Sequence, residues 1–158
     1  MRIVVFSDSH NNFHKLNQVV EQRGDTHLFL HLGDGEGEFD DLACLYPEKK
    51  MLFVRGNCDW ASLSKSEDLV ICQGKRIFFT HGHLYGVKKD THRIWERARQ
   101  LEADICCFGH THTPFSTYRE SVYLLNPGSI SQPRAGHPSY GVIDITDAGI
   151  AIHHVTLR

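Results

Sequence analysis

The chain has 158 residues, with 17 Lys plus Arg against 19 Asp plus Glu, so its formal net charge is −2 with histidine neutral. That balance, with 41% hydrophobic and 23% charged residues, is the profile of a soluble globular protein and gives no general attraction for nucleic acid or an anionic membrane surface, so neither is an expected partner. No apolar run approaches the roughly 20 residues a membrane helix needs, and the length is that of one domain over residues 1–158.

The chain opens on the apolar run Ile3–Phe6, a predicted strand, and turns polar at Ser7. Four apolar residues are too few for a signal peptide, and five cysteines without a Cys-x-x-Cys pair suit a reducing compartment, so a cytoplasmic location is expected. Phe13, Leu16, Val19 and Val20 share one face of a predicted helix over Asn12–Arg23, stopped at Gly24. Leu28–Leu32 is the next predicted strand, Glu38–Tyr46 a short helix ended by Pro47, and Met51–Val54 a strand. Leu69–Cys72 and Ile77–Phe79 are strands around a turn at Gln73-Gly74-Lys75. Asp90 or Thr91 caps a helix carrying Ile94, Trp95, Ala98 and Leu101. Strands at Ile105–Phe108, Val122–Leu125, Gly141–Ile145 and Ile150–Leu157 follow, the last two around Asp147-Ala148-Gly149. Several runs are apolar at every residue, which suits strands buried on both faces. The class is α/β with an antiparallel-rich end, two layers of sheet with helices outside.

The informative residues come directly after these strands. They are Asp8 and His10, Asp34, Asn57 to Asp59, His81 and His83, and His110 and His112. Five strands thus deliver acids, an amide or imidazoles at their carboxyl ends, the edge where α/β sheets gather ligands. Hard oxygens mixed with imidazoles fit Mn, Fe, Co, Ni or Zn in sites of five or six ligands and exclude an all-thiolate zinc site. In extended backbone, Asp8 and His10 would point the same way, and so would His110 and His112. Seven candidate ligands are too many for one metal with an open position and suit two metals sharing a carboxylate.

Other residues receive plainer readings. His27 and His31 flank a buried strand, His14 and His92 lie on exposed helix positions, and only one of His153 and His154 can face inward. Cys44, Cys72, Cys106 and Cys107 read as small buried hydrophobes, and Trp60 and Trp95 as packing residues. Tyr85, beside the Gly86 turn, and His137 are placed near the substrate on position alone. Two common phosphate-handling motifs are absent on spacing. No cysteine is followed by Arg six residues later, and the single Gly-Lys pair, Gly74-Lys75, lacks the Ser or Thr of a phosphate loop.

Taken in order, Asp8-x-His10, Gly33-Asp34, Gly56-Asn57-Cys58-Asp59, His81-Gly82 and Gly109-His110-x-His112 resemble the motifs of the calcineurin-like metallophosphoesterase superfamily. Asn126-Pro127-Gly128-Ser129 with Pro133-Arg134 is similar to its small prokaryotic phosphodiesterase branch. The resemblance implies a four-layer α/β/β/α sandwich of two mixed β-sheets flanked by helices, with two divalent metal ions, Mn²⁺ first among them and Fe, Ni, Co or Zn as alternatives. It implies that Asp8, His10 and His112 hold one metal, that Asn57, His81 and His110 hold the other, and that Asp34 bridges them. It further implies in-line attack on a small phosphodiester, and on some monoesters, by a hydroxide held between the metals. Asp34, Asn57 and Cys58 are the implied catalytic residues, and Asn57 and His112 contact the phosphate. Cys58 departs from the family, which commonly has His there to protonate the leaving oxygen; a thiol is a poor match for that transfer. A homodimer is a family-level expectation. The competing reading is a metal-free or weakly active scaffold or binding module on the same fold, which loss of ligand residues would mark.

Overall fold

Apolar runs buried on both faces have to be sandwiched, and the chain does this with two sheets. In the computed structural model, which describes residues 1–157, the elements in chain order are β1 (Arg2–Phe6), α1 (Phe13–Gln22), β2 (Leu28–His31), α2 (Glu36–Leu45), β3 (Met51–Phe53), β4 (Glu67–Cys72), β5 (Lys75–Thr80), α3 (His92–Gln100), β6 (Ile105–Cys107), β7 (Pro114–Arg119), β8 (Val122–Pro127), β9 (Ser139–Thr146) and β10 (Gly149–Thr156). The first sheet has the order β10-β9-β1-β2-β3 and the second β4-β5-β6-β8-β7. Each contains a parallel trio, β1-β2-β3 in one and β5-β6-β8 in the other. Antiparallel strands flank both trios.

Side-chain alternation assigns the layers. Ile3 and Val5 of β1 and Leu28 and Leu30 of β2 meet Ile77 and Phe79 of β5 and Ile105 and Cys107 of β6 between the sheets. Val4, Phe6 and Phe29 point the other way, onto Leu16, Val19 and Val20 of α1 and Leu42 of α2. Phe78, Cys106 and Leu124 point outward from the second sheet onto Ile94, Trp95 and Ala98 of α3. The result is the α/β/β/α sandwich that the resemblance implies. Each fully buried Leu, Ile, Val or Phe in these layers contributes about 1.5–3 kcal/mol. Among the described residues no helix is long and apolar enough to cross a membrane.

Register brings the strand ends level. Phe6 pairs with His31 and His31 with Phe53, while Phe79 pairs with Cys107 and Cys107 with Leu125. The loops that follow β1, β2, β3, β5 and β6 therefore leave their sheets at matching heights.

The structure differs from the sequence expectations at two elements. β7 is a strand that apolar patterning misses, because from Phe115 onward it is exposed at the edge of its sheet and carries Ser116, Thr117 and Arg119. Its hairpin turns through Glu120 and Ser121, both at positive φ without a glycine. α2 begins at Glu36 rather than Glu38, because the Asp59 carboxylate, far along the chain, accepts from the Gly35 and Glu36 N–H groups at 3.0 and 3.1 Å. By contrast, α1 uses a local cap: Asn12 Oδ1 accepts from Lys15 N at 3.2 Å, and the chain enters the helix there as expected.

Individual residues sort similarly. His31 is fully buried, His27, His14 and His92 are exposed, and His153 faces out while His154 faces in to bond the Asn126 carbonyl at 2.8 Å. Cys72, Cys106 and Cys107 are buried, but Cys44 is exposed on α2. Trp95 packs between the guanidinium groups of Arg99 and Arg119, as a packing residue should. Trp60 does not; it is 91% exposed.

Candidate metal centre

The two parallel trios direct their carboxyl ends to one place. From the first sheet come Asp8 and His10 after β1, Asp34 after β2 and Asn57 after β3; from the second come His81 after β5 and His110 and His112 after β6. All seven converge. Ligating atoms of Asp8, His10 and His112 lie within 4.8 Å of one another, and so do those of Asp8, Asp34 and His81. His10, Asp34 and Cys58 form a third such group, so Asp34 shares a group with a residue of each of the other two, His10 and Asp8. Asn57 Oδ1 and His110 Nδ1 each approach His81 Nε2 to 3.1 Å.

The convergence does not come from extended backbone. Asp8, His10, Asp34, His110 and His112 all have positive φ, between 43° and 68°. This left-handed conformation is costly for non-glycine residues and persists where surrounding structure enforces it. Five of the seven candidate ligands share it. Two glycines make the close approach possible: a Cβ on Gly56 would strike Asp34 Oδ1, and Gly33, at φ 98°, has the Gly56 backbone where its own Cβ would be.

Hydrogen bonds to the far side of each ring set which nitrogen faces inward. His81 Nδ1 donates to the Leu32 carbonyl and His112 Nδ1 to the Gln132 carbonyl, both at 2.7 Å. Carbonyls only accept, so in the neutral rings the Nε2 lone pairs point into the centre. There His81 Nε2 lies 3.4 Å from Asp34 Oδ2, and His112 Nε2 lies 3.1 Å from Asp8 Oδ1 and 3.2 Å from His10 Nε2. Asp8 Oδ1 is buried and has no hydrogen-bond donor. An orphaned carboxylate oxygen surrounded by inward lone pairs is an arrangement that only positive charge relieves, so the residues fit metal ions.

Titration follows the same field. Burial pushes the Asp8 carboxyl up, but contact with His112 and the charge of His81 outweigh it and hold the group below its usual range. Asp34 behaves likewise, held far down by His81 and the Cys58 N–H at 2.7 Å. Asp8 raises His112; His81 is raised by Asp34 and Asp8 against its burial. His110 is pushed down to about 4 by burial, His81 and Lys88.

Several residues to which the sequence reading gave no positioning role hold the loops in place. The Asp59 carboxylate accepts from the N–H groups of Asp34 (2.8 Å), Gly35, Glu36 and Gly56 (2.7 Å), which joins the loops after β2 and β3. Buried Glu38 accepts from the Ser9 hydroxyl and the Asn11 N–H, and Ser9 Oγ also meets His31 Nε2 at 2.9 Å. Ser129 donates to the Asp8 carbonyl and Asn126 to the Gly109 carbonyl, both at 2.8 Å. Asp59, Asn126 and Ser129 were visible in the sequence only as parts of motifs, and Ser9 and Glu38 only as polar residues near strand ends.

A cavity of about 320 Å³ opens beside the centre, with His10, Asp34, Glu38, Cys58, Asp59 and Trp60 among its lining residues. Cys58 is exposed at its edge, and burial of the sulfur and the neighbouring Asp34 carboxylate push its thiol up to about 11. Tyr85 and His137, expected near the substrate, do not line this cavity. The Tyr85 hydroxyl donates to Glu67, and its ring packs on Phe78. His83 starts a 3-10 turn with its ring 5.4 Å from that of His81.

Comparison with known proteins accords with this geometry. The sequence model of the calcineurin-like phosphoesterase superfamily domain matches residues 1–148. The chain is similar to the probable metallophosphoesterase YsnB of Bacillus subtilis (strain 168), at 34% identity over 147 residues, covering 92% of this chain and 85% of the relative. It is similar to the phosphodiesterase YfcE of Escherichia coli (strain K12), at 35% identity over 105 residues, covering 60% of this chain and 53% of YfcE. A conserved uncharacterized protein of Streptococcus pneumoniae TIGR4, described as a predicted phosphoesterase, shares the fold with a TM-score of 0.86 and 29% identity over 98% of this chain and 88% of that one. With the family matched along nearly its whole length, the chain belongs to the calcineurin-like phosphoesterase superfamily and is a metal-dependent phosphoesterase.

Proposed function

We propose that this chain hydrolyses phosphodiesters at a centre of two divalent metal ions, with Mn²⁺ the first candidate. Asp8, His10 and His112 hold one ion, Asn57, His81 and His110 hold the other, and Asp34 spans both. The observation that carries the reading is the buried, donorless Asp8 Oδ1 facing the inward lone pair of His112 at 3.1 Å. When bound, the metals supply positive charge for the phosphate and lower the pKa of water toward ~7. The protein's own groups orient and tune this. The two ligand carboxylates, Asp8 and Asp34, would offset only half the charge of two dications, so the metal centre itself stays positive and attracts a phosphate although the whole chain is slightly acidic.

Asn57 directs its Oδ1 to His81, so its Nδ2 is the face that can donate to an equatorial phosphate oxygen. His112, its ring fixed by the Gln132 carbonyl, is the second residue that would contact the phosphate. Cys58 stays a thiol at neutral pH but is too weak an acid to protonate a departing alkoxide efficiently. Esters with acidic leaving groups are therefore the favoured substrates.

Elemental analysis paired with bis(p-nitrophenyl) phosphate hydrolysis, for wild type and Asp34→Asn, tests the reading. About two metals per chain, and activity lost in the variant, is the expected result. A wild-type protein that takes up no metal and hydrolyses nothing after Mn²⁺ addition would instead support a scaffold on this fold.

A further inference from the structure

We propose that Trp60 is the specificity determinant of this centre, a platform on which an uncharged flat ring of the nucleobase class stacks while the substrate's phosphate occupies the metal site. The inference rests on the hydrolase reading and names the class of group the substrate carries. Trp60 is 91% exposed, where a tryptophan ordinarily buries much of its large ring, and it lines the same cavity as His10, Asp34 and Cys58.

The ring is exposed on a fixed backbone. On one side, Asp59 is pinned by four N–H groups. On the other, Ser62 and Ser64 both donate to Glu36 at 2.6 Å, and Ser62 N bonds the Asp59 carbonyl at 3.2 Å. The segment that carries the ring is already ordered, so stacking on it costs only the rotamer freedom of one side chain with two rotatable bonds.

Charge selects the kind of ring. Glu36, Glu38 and Asp59 line the cavity and, among the described residues, no Lys or Arg does, so a second phosphate or a carboxylate there would be repelled. A substrate is thereby oriented with its negative charge toward the metals and its uncharged ring toward Trp60. Base–aromatic stacking tolerates any base, so the class is set and the individual base is not.

The chain has two tryptophans, and the other, Trp95, is only 5% exposed, so solvent-exposed indole emission reports on Trp60. Mn²⁺-loaded protein is titrated with AMP and with ribose 5-phosphate, which carry the same phosphate and sugar and differ in the base. AMP is expected to quench the emission and to bind roughly tenfold more tightly. Trp60→Phe should keep most of that preference, read by calorimetry, and Trp60→Ala should abolish it. If wild type hydrolyses bis(p-nitrophenyl) phosphate yet binds both ligands equally, this inference falls and the hydrolase reading stands. If neither ligand binds and hydrolysis is absent, both fall. A preference that survives in Trp60→Ala overturns the proposal. So does a Trp60→Ala variant that elutes as a smaller species, which would make the ring, with exposed Leu63 nearby, a contact between copies of the chain.

Discussion

The two sheets bring opposite chemistry to one edge. The first supplies both carboxylates, the amide of Asn57 and one imidazole; the second supplies three imidazoles. The first sheet's loops are held by acceptors that collect backbone N–H groups, chiefly Asp59 and Glu38. The second sheet's rings are held by carbonyl oxygens and by Asn126. Neither half could hold the proposed metals alone. The candidate centre forms where they interlock, through His110 N on Asp8 Oδ2 (3.1 Å), His81 Nδ1 on the Leu32 carbonyl and Ser129 Oγ on the Asp8 carbonyl.

Breaking the acidic half should cost most. Asp34→Ala removes a group shared by two of the three ligand clusters and the acceptor of the Cys58 N–H. Hydrolysis is expected to fall about 10³-fold or more, with both metals lost on elemental analysis. His112→Ala, in the imidazole half, should lose one metal only. Equal metal loss in the two variants would contradict the division of labour between the sheets.

Removing a positioning residue should cost less. Asp59→Ala leaves four N–H groups without their acceptor, at about 1–3 kcal/mol of stability and about a 10–100-fold loss of metal affinity. Metal titration of the folded variant decides it; unchanged affinity would mean that Asp59 does not position Asp34. Cys58→His is expected to act in the other direction. A better-matched acid should raise turnover of esters with poor leaving groups, by up to about 10²-fold, and leave nitrophenyl esters little changed.

The smallest effect is in pH. His31 is held neutral in the fold, its pKa pushed down to about 4 by burial. Above about pH 6.5 the ring is neutral folded or unfolded and contributes no pH dependence; as pH falls from about 6.5 toward 4, only the unfolded chain takes up the proton and stability is lost. His110, also near 4, adds to this slope. His81 and His112, raised by the carboxylates, act oppositely, their contribution being present below about 6.5 and lost as pH rises through their folded values. Melting temperatures of chelator-treated protein should therefore fall on acidification, and His31→Gln should flatten the acid limb. A wild-type limb that is flat from pH 6.5 to 4 would contradict a neutral buried His31. Metal-loaded protein should lose activity below about pH 6, because protonated imidazoles cannot ligate.

The strands that build the layers were legible because each is an apolar run with β-branched or aromatic residues, and the candidate ligands because they follow those runs. β7 was not legible, since an exposed edge strand needs no apolar residues. The start of α2 was not, since its cap lies in another loop. Trp60 was misjudged as a packing residue because exposure is not written in a residue's type.

By itself the sequence determined which segments must be buried, in what order they occur, and which oxygen- and nitrogen-bearing side chains follow them. Those are local properties of hydrophobic period and residue chemistry. Only the tertiary structure decided that two separate sheets share one edge, that five candidate ligand positions are held at positive φ, and that Asp59 and the carbonyls of Leu32 and Gln132 orient the rest. Such backbone conformations are unfavourable locally and are stabilised only by contacts between residues far apart in the chain.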